Sequence, residues 1–295
     1  MLLTLTASCL RSLLLPGRSR KPKLELLDLP VYTKETLGLT GINLSTDLLI
    51  GADRARLEGI RERADRASCS CLLLVEHDAQ LLGAVADKQA IAAVERLTRV
   101  VEAAQILGCS AAAVRIEAAD EDGTLLRVAG RLKPVMERAE KLDINLLITP
   151  HKGLTARPER VTELLKKVGG FRIGTYPDFQ TAAEYKDPAA YLHRLTPYAT
   201  ALSASTVKFV PANKKGEPIG EMPLEELADS DVPIAHVPYD LRSMVDAVSS
   251  VGYDGPLALD YRGTGDVTIG LSLSRDALAA AMGAPMPEGE DDDEE

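Results

Sequence analysis

The chain has 295 residues, 45% of them hydrophobic, with 44 acids against 34 bases and a formal net charge of −10. That length and apolar share suffice for one large core or two modest ones. No apolar run reaches the roughly 18 residues of a membrane helix, so a soluble protein without a membrane partner is expected.

The charge is unevenly placed. The closing stretch EGEDDDEE carries seven acids (Glu288, Glu290, Asp291, Asp292, Asp293, Glu294 and Glu295), and without them the net charge is −3. Such a segment has no apolar surface to bury, and 285–295 is expected to be a disordered acidic tail behind a body spanning 1–284. The body is then close to neutral, and with the chain acidic overall no nucleic-acid partner is expected. Cys9, Cys69, Cys71 and Cys109 show no metal-binding spacing and no disulfide framework, which fits a reducing cytoplasm. Cys69 and Cys71, two apart on a strand, read as small buried hydrophobes on one face.

In chain order, the opening MLLTLT alternates Leu with Thr as a strand does, and it lacks the basic start of a secretion signal. Further strands are expected near 40–45, 70–76, 111–117, 144–149, 171–175, 200–206 and 256–261. Helical patterns separate most of them. The clearest places Ile91, Val94, Leu97, Val101, Ala104 and Leu107 at spacings of three and four, then meets Gly108 before AAAVRIE begins. Buried strands alternating with helices predict a parallel sheet covered by helices. Eight such units in about 280 residues suit a single (β/α)8 TIM barrel better than an open sheet. No Gly-x-Gly-x-x-Gly follows the first strand. The irregular stretches 8–24 and 207–238 read as loops.

In a barrel the reacting groups stand at the C-terminal strand ends. Those ends offer Glu76, His77 and Asp78 after strand three, Glu117 and Asp120 after strand four, and the sequence Thr149-Pro150-His151 after strand five. Tyr176-Pro177-Asp178 closes strand six, Ser203 and Ser205 lie on strand seven, and Asp260-Tyr261-Arg262 closes strand eight. Carboxylates and imidazoles on one rim suit a hard divalent cation or proton transfer. A strand-end Asp is also a common helix cap. His193, on a helical pattern, reads as a surface or packing residue, and His236 is ambiguous. Arg11, Arg18, Arg20, Lys21, Lys23, Lys152, Arg157, Lys208, Lys214, Lys215 and Arg262 follow strands, and gathered at one mouth they would favour a phosphorylated or carboxylated sugar. Tyr176, Phe179 and Tyr261 offer faces for stacking on a sugar ring.

Across these residues the chain resembles the sugar phosphate isomerase/epimerase family of xylose isomerase-like barrels. The resemblance is carried by AAQILGCSAAAVRIE, LKPVMERAEKLDINLLITPHKGL, GTYPDF and VGYDGPLALDY, in that order over about residues 30–280. It implies a divalent metal (Mn, Mg or Zn) held by Glu, Asp, His and Glu at the ends of strands five to eight. Asp178 falls on the Asp position, and Asp260 falls where Glu is usual. Thr149 falls where the first Glu stands, and Ser203 or Ser205 where the His stands. The resemblance therefore implies Asp178 and Asp260 as metal ligands, with Asp260 also an acid/base. It makes His151 a substrate-binding or proton-shuttling neighbour; from their places on the rim, Glu76, His77, Glu117, Lys152, Tyr176 and Arg262 are expected to bind substrate. Thr149 does not titrate near neutral pH, and a serine hydroxyl is a poor substitute for an imidazole ligand.

The activity the resemblance implies is isomerisation or epimerisation of a small sugar or sugar phosphate by metal-assisted proton transfer through an enediolate. A sugar-binding barrel without chemistry, in a binding or regulatory role, is the alternative. A nuclease of the related apurinic-endonuclease type stands third, because four histidines and an acidic surface suit it poorly. The sequence leaves a homo-oligomer open.

Overall fold

The structure, a computed structural model, describes residues 1–16 and 21–283. The expected tail, Arg18 and Arg20 lie outside the described residues. Eight parallel strands form one sheet: β1 (Leu2–Thr6), β2 (Gly41–Ser45), β3 (Ser70–Val75), β4 (Ala111–Arg115), β5 (Asn145–Thr149), β6 (Ile173–Thr175), β7 (Leu202–Thr206) and β10 (Pro256–Tyr261). Their order is β6-β5-β4-β3-β2-β1-β10-β7. Parallel bridges Thr175↔Ala199 and Asp178↔Ser203 join β6 to β7 and complete the ring. All eight strands lie where the apolar runs place them, with ends shifted by one or two residues.

The helices are α1 (Arg11–Leu14), α2 (Leu29–Glu35), α3 (Arg54–Arg66), α4 (Asp87–Leu107), α5 (Asp122–Lys141), α6 (Pro158–Val168), α7 (Phe179–Ala183), α8 (Pro188–Leu195), α9 (Leu224–Ala228), α10 (Leu241–Ser250) and α11 (Val267–Ala281). Gly108 ends α4 in the left-handed conformation, φ 80°, as its place after the periodic run predicts. The stretches 8–24 and 207–238 are not plain loops. The first holds α1, and the second holds an antiparallel pair, β8 (Lys208–Pro211) with β9 (Ile234–Val237), beside α9. These strands are four residues long and include or border prolines, which masks them in the sequence.

Strand alternation sorts the core into two layers. Leu5, Ile42, Leu74, Val114, Ile148, Leu202 and Leu259 pack outward against the helices. Leu73, Ala111, Ala113, Leu147, Tyr176 and Ala201 form a small separate cluster inside the ring. The register of β2 on β3 jumps from Ile42↔Cys71 to Asn43↔Leu73, leaving Leu72 as an extra residue. A Cβ on Gly41 would lie 2.7 Å from Leu72 Cδ1, so glycine makes the room that this bulge uses. Beyond the bulge the parity of β3 is reversed. Cys69 and Cys71 are both buried, as expected of small hydrophobes.

Candidate functional site

At the C-terminal end of the strands a cavity of about 550 Å³ opens, a volume suited to a small ligand. Its wall includes Thr6, Cys9, Arg11, Ser45, His77, Arg115, Thr149, His151, Tyr176, Asp178, Ser203, Asp260, Tyr261 and Arg262. The ring therefore brings together six of the nine expected residues, His77, His151, Tyr176, Asp178, Asp260 and Arg262, with Thr149 beside them. It does not bring Glu117 or Lys152 to the wall; both are exposed beside it.

Glu76 departs furthest from the expectation that it touches substrate. Its side chain is 0% exposed and points to the helix layer. Arg96 of α4 donates to its Oε2 from Nε at 2.9 Å. The bulge at Leu72 is the cause: it turns Glu76 outward with Leu74 and leaves His77 facing the mouth. His193 is exposed on α8, where its Nε2 meets Ser250 Oγ. His236 is structural, accepting from the Val207 amide at 2.9 Å and thereby tying β9 to the chain between β7 and β8.

The floor of the cavity is an ion cluster. Arg262 Nη1 donates to Asp178 Oδ1 at 3.1 Å and to Gln180 Oε1 at 2.8 Å. Its Nη2 donates to Asp178 Oδ2 at 2.7 Å and to Asp260 Oδ2 at 2.5 Å, while Nε donates to Asp260 Oδ2 at 2.9 Å. A guanidinium has five N–H groups, and these contacts use them all. Asp178 also caps α7, accepting from the Thr181 amide at 2.9 Å and its hydroxyl at 3.1 Å. The strand-end aspartate is thus a cap and an ion-pair partner together. Burial pushes its carboxyl up, but the charge and hydrogen bonds of Arg262 outweigh that and leave it below the usual range. Asp260 Oδ1 accepts from Cys9 Sγ at 3.1 Å. Burial and the neighbouring Asp260 charge push the Cys9 thiol well up, so it stays a neutral donor.

The opposite wall is cationic. Arg11 is tied to Asp47 at 2.5 Å, and its Nη2 donates to His77 Nδ1 at 3.0 Å, which leaves the His77 proton on Nε2. The Arg11 and Ser45 hydrogen bonds overcome burial and hold Asp47 at about 2. Arg115 has no carboxylate partner among the described residues; it donates only to the His77 carbonyl, at 3.3 Å. Sequence reading passes over this residue. The signal was present, since Arg115 continues the inward parity of Ala111 and Ala113, where a charge has no reason to be unless it faces a ligand or solvent.

His151 is half-buried at the end of NLLITPHKG. Its amide approaches Thr155 Oγ1 at 3.2 Å, and the Leu154 amide donates to the Ala118 carbonyl at 2.9 Å. Gly153 allows that approach: its φ is +73°, and a Cβ there would lie 2.1 Å from the Ala118 oxygen. Burial, then the charges of Arg115 and Lys152, lowers the His151 pKa from 6.5, against a weaker opposing pull from Glu117. Two hydroxyls on the wall, Thr6 Oγ1 and Thr149 Oγ1, are buried without a hydrogen-bond partner.

The donors at the expected metal position do not fit a divalent metal as they stand. Both carboxylates are engaged by one guanidinium, Thr149 and Ser203 supply only hydroxyls, and no group of three or more His, Cys, Asp or Glu suited to a metal occurs among the described residues.

The model of the xylose isomerase-like TIM barrel family matches residues 34–282. Among solved structures the chain is similar to an L-ribulose 3-epimerase, with 13% identity, 95% of each chain covered and a TM-score of 0.71. It is also similar to a D-psicose 3-epimerase from Clostridium cellulolyticum H10 with D-tagatose, with 12% identity, 96% and 97% coverage and a TM-score of 0.66. A xylose isomerase-like TIM barrel protein from Mycobacterium smegmatis in complex with magnesium shows 12% identity, 91% and 93% coverage and a TM-score of 0.62. No curated protein matches the sequence. At such identities the likeness is one of fold, and the family match extends it over most of the chain: this protein belongs to the xylose isomerase-like TIM barrel family.

Proposed function

We propose that the barrel mouth binds a small anionic sugar, phosphorylated or carboxylated, and that the chain is a sugar-binding barrel whose site works without a divalent metal. The observation that carries this reading is Arg115, a cation on the cavity wall with no carboxylate partner among the described residues, beside His151 and Lys152. An anion at that corner would complete the charge balance. Tyr176, of the inner cluster, borders the cavity where a sugar ring would lie, whereas the Tyr261 ring packs outward against Gly270 of α11.

A second reading keeps proton transfer, of the isomerase/epimerase kind, and rests on the lowered His151 pKa. A neutral imidazole at neutral pH is free to take a proton from the carbon beside a sugar carbonyl, and the cations next to it would stabilise the enediolate that forms. Asp260 is the weaker acid/base candidate, since both its oxygens already accept hydrogen bonds.

Calorimetric titration with a sugar phosphate, a sugar carboxylate and the neutral parent sugar tests the binding reading. The charged forms should bind at least about tenfold more tightly, as a single charge-assisted contact predicts. Equal affinities for charged and neutral sugars would reject it. Incubating the bound sugar in D2O and following its C–H signals by NMR separates the two readings, because only proton transfer exchanges the hydrogen beside the carbonyl.

A further inference from the structure

We infer that Arg262 occupies, as a tethered cation, the place where a divalent metal would bridge Asp178 and Asp260, so that the barrel carries a latent metal seat filled by its own side chain. This holds whether or not the mouth binds sugars.

One nitrogen shows the substitution best. Nη2 lies 2.7 Å from Asp178 Oδ2 and 2.5 Å from Asp260 Oδ2, bridging the two carboxylates as one cation bridges two ligands. Those distances are only a few tenths of an ångström longer than the ~2.0–2.2 Å of a small divalent ion to oxygen. Asp178 is 6% exposed, and two carboxylates this close cannot both stay ionised without a positive charge between them. The guanidinium is fixed there by the rest of its donors, and Gln180 Oε1 takes the N–H that the acids leave. Thr149 and Ser203, the other two strand ends of the same set, face the same cavity with hydroxyls and bring no charge. The site therefore holds its two carboxylates around one fixed positive charge, a net of −1 where a divalent ion would leave zero, with nothing to dissociate.

Removing the guanidinium while keeping both acids should uncover the seat. Full-length wild type, R262Q and R262Q/D178N are titrated with Mn²⁺, following the free-ion signal by electron paramagnetic resonance and the heat by calorimetry. Wild type should take up no Mn²⁺. R262Q should take up about one ion per chain, at least roughly tenfold more tightly than wild type, and R262Q/D178N should lose it. Thr149→Glu added to R262Q should tighten uptake further by supplying a third carboxylate from β5. If R262Q folds only in Mn²⁺, as followed by circular dichroism, the inference stands, because the ion has replaced the missing charge. Stoichiometric Mn²⁺ uptake by wild type that Asp178→Asn abolishes would overturn it. So would a folded R262Q that takes up none, or an R262Q that fails to fold with and without Mn²⁺, since Arg262 would then be a packing element.

Discussion

Arg262 grips Asp178 end to end, with Nη1 on one carboxylate oxygen and Nη2 on the other, across 84 residues of chain. The pair links β10 to the start of α7 and closes the ring at its weakest seam, where β6 and β7 meet only through isolated bridges. Replacing Asp178 by Asn would leave the guanidinium facing a neutral amide. We expect a loss of about 3 kcal/mol in urea unfolding, the low end for a broken buried pair because 35% of the Arg262 side chain stays exposed. The wild-type contribution should also fade in acid. The Asp178 carboxyl is lowered, so its stabilisation is complete above the ordinary value of 3.8 and is lost as pH falls through the folded value. The Asp178→Asn protein should lack that part of the acid transition.

Arg115→Ala should lower affinity for a sugar carboxylate by about tenfold or more while leaving the urea midpoint unchanged. The side chain makes a single weak bond, to the His77 carbonyl at 3.3 Å, so little stability rests on it. Equal binding by wild type and variant would show that the anion is held elsewhere.

His151 gives the binding a pH signature. Its pKa is lowered from 6.5 by burial and by Arg115 and Lys152, so it is neutral at pH 7 and gains its charge only further into acid. A bound anion favours the charged ring. Affinity for a sugar carboxylate, whose own charge is constant over the range, should therefore rise from pH 7.5 to 5.5, and His151→Gln should abolish the rise. For the unliganded protein the sign is opposite. The unfolded chain takes up this proton first, so the His151 contribution to stability is full above 6.5 and shrinks below it.

Glu76→Gln separates a core ion pair from a ligand contact. With its side chain fully buried against Arg96, the change should destabilise by about 2 kcal/mol in urea unfolding and leave sugar affinity as it was. A change in affinity with unaltered stability would place Glu76 at the ligand after all.

Gly153→Ala should disturb the loop that carries His151. A Cβ at φ +73° would lie 2.1 Å from the Ala118 oxygen, so the backbone must move, at a cost of roughly 1–3 kcal/mol. Thermal unfolding and the His151 ring signals by NMR report both effects.

The sequence shows the ring clearly because apolar strands such as Leu146-Leu147-Ile148 and glycine-ended helices such as α4 are local patterns. Asp178, Asp260 and His151 follow as strand ends. What it hides is pairwise. Arg262 reads as one more mouth cation, and nothing near it in sequence tells that Asp178 and Asp260 share it. Glu76 reads as a rim acid because alternation counted from Cys71 carries it inward, and the extra residue at Leu72 is invisible without the partner strand. Arg115 is hidden differently, inside a strand rather than at its end.

That extra residue has a reach beyond packing. Excising Leu72 would set Cys71 and Leu73 consecutively against Ile42 and Asn43, so Glu76 would still face the helices and His77 the mouth; it is a one-residue slip, pairing Leu72 with Asn43, that would present the acid of Glu76 to a visiting ligand. Such a slip would invert the polarity of one segment of the rim, and with it the sign of charge that segment attracts.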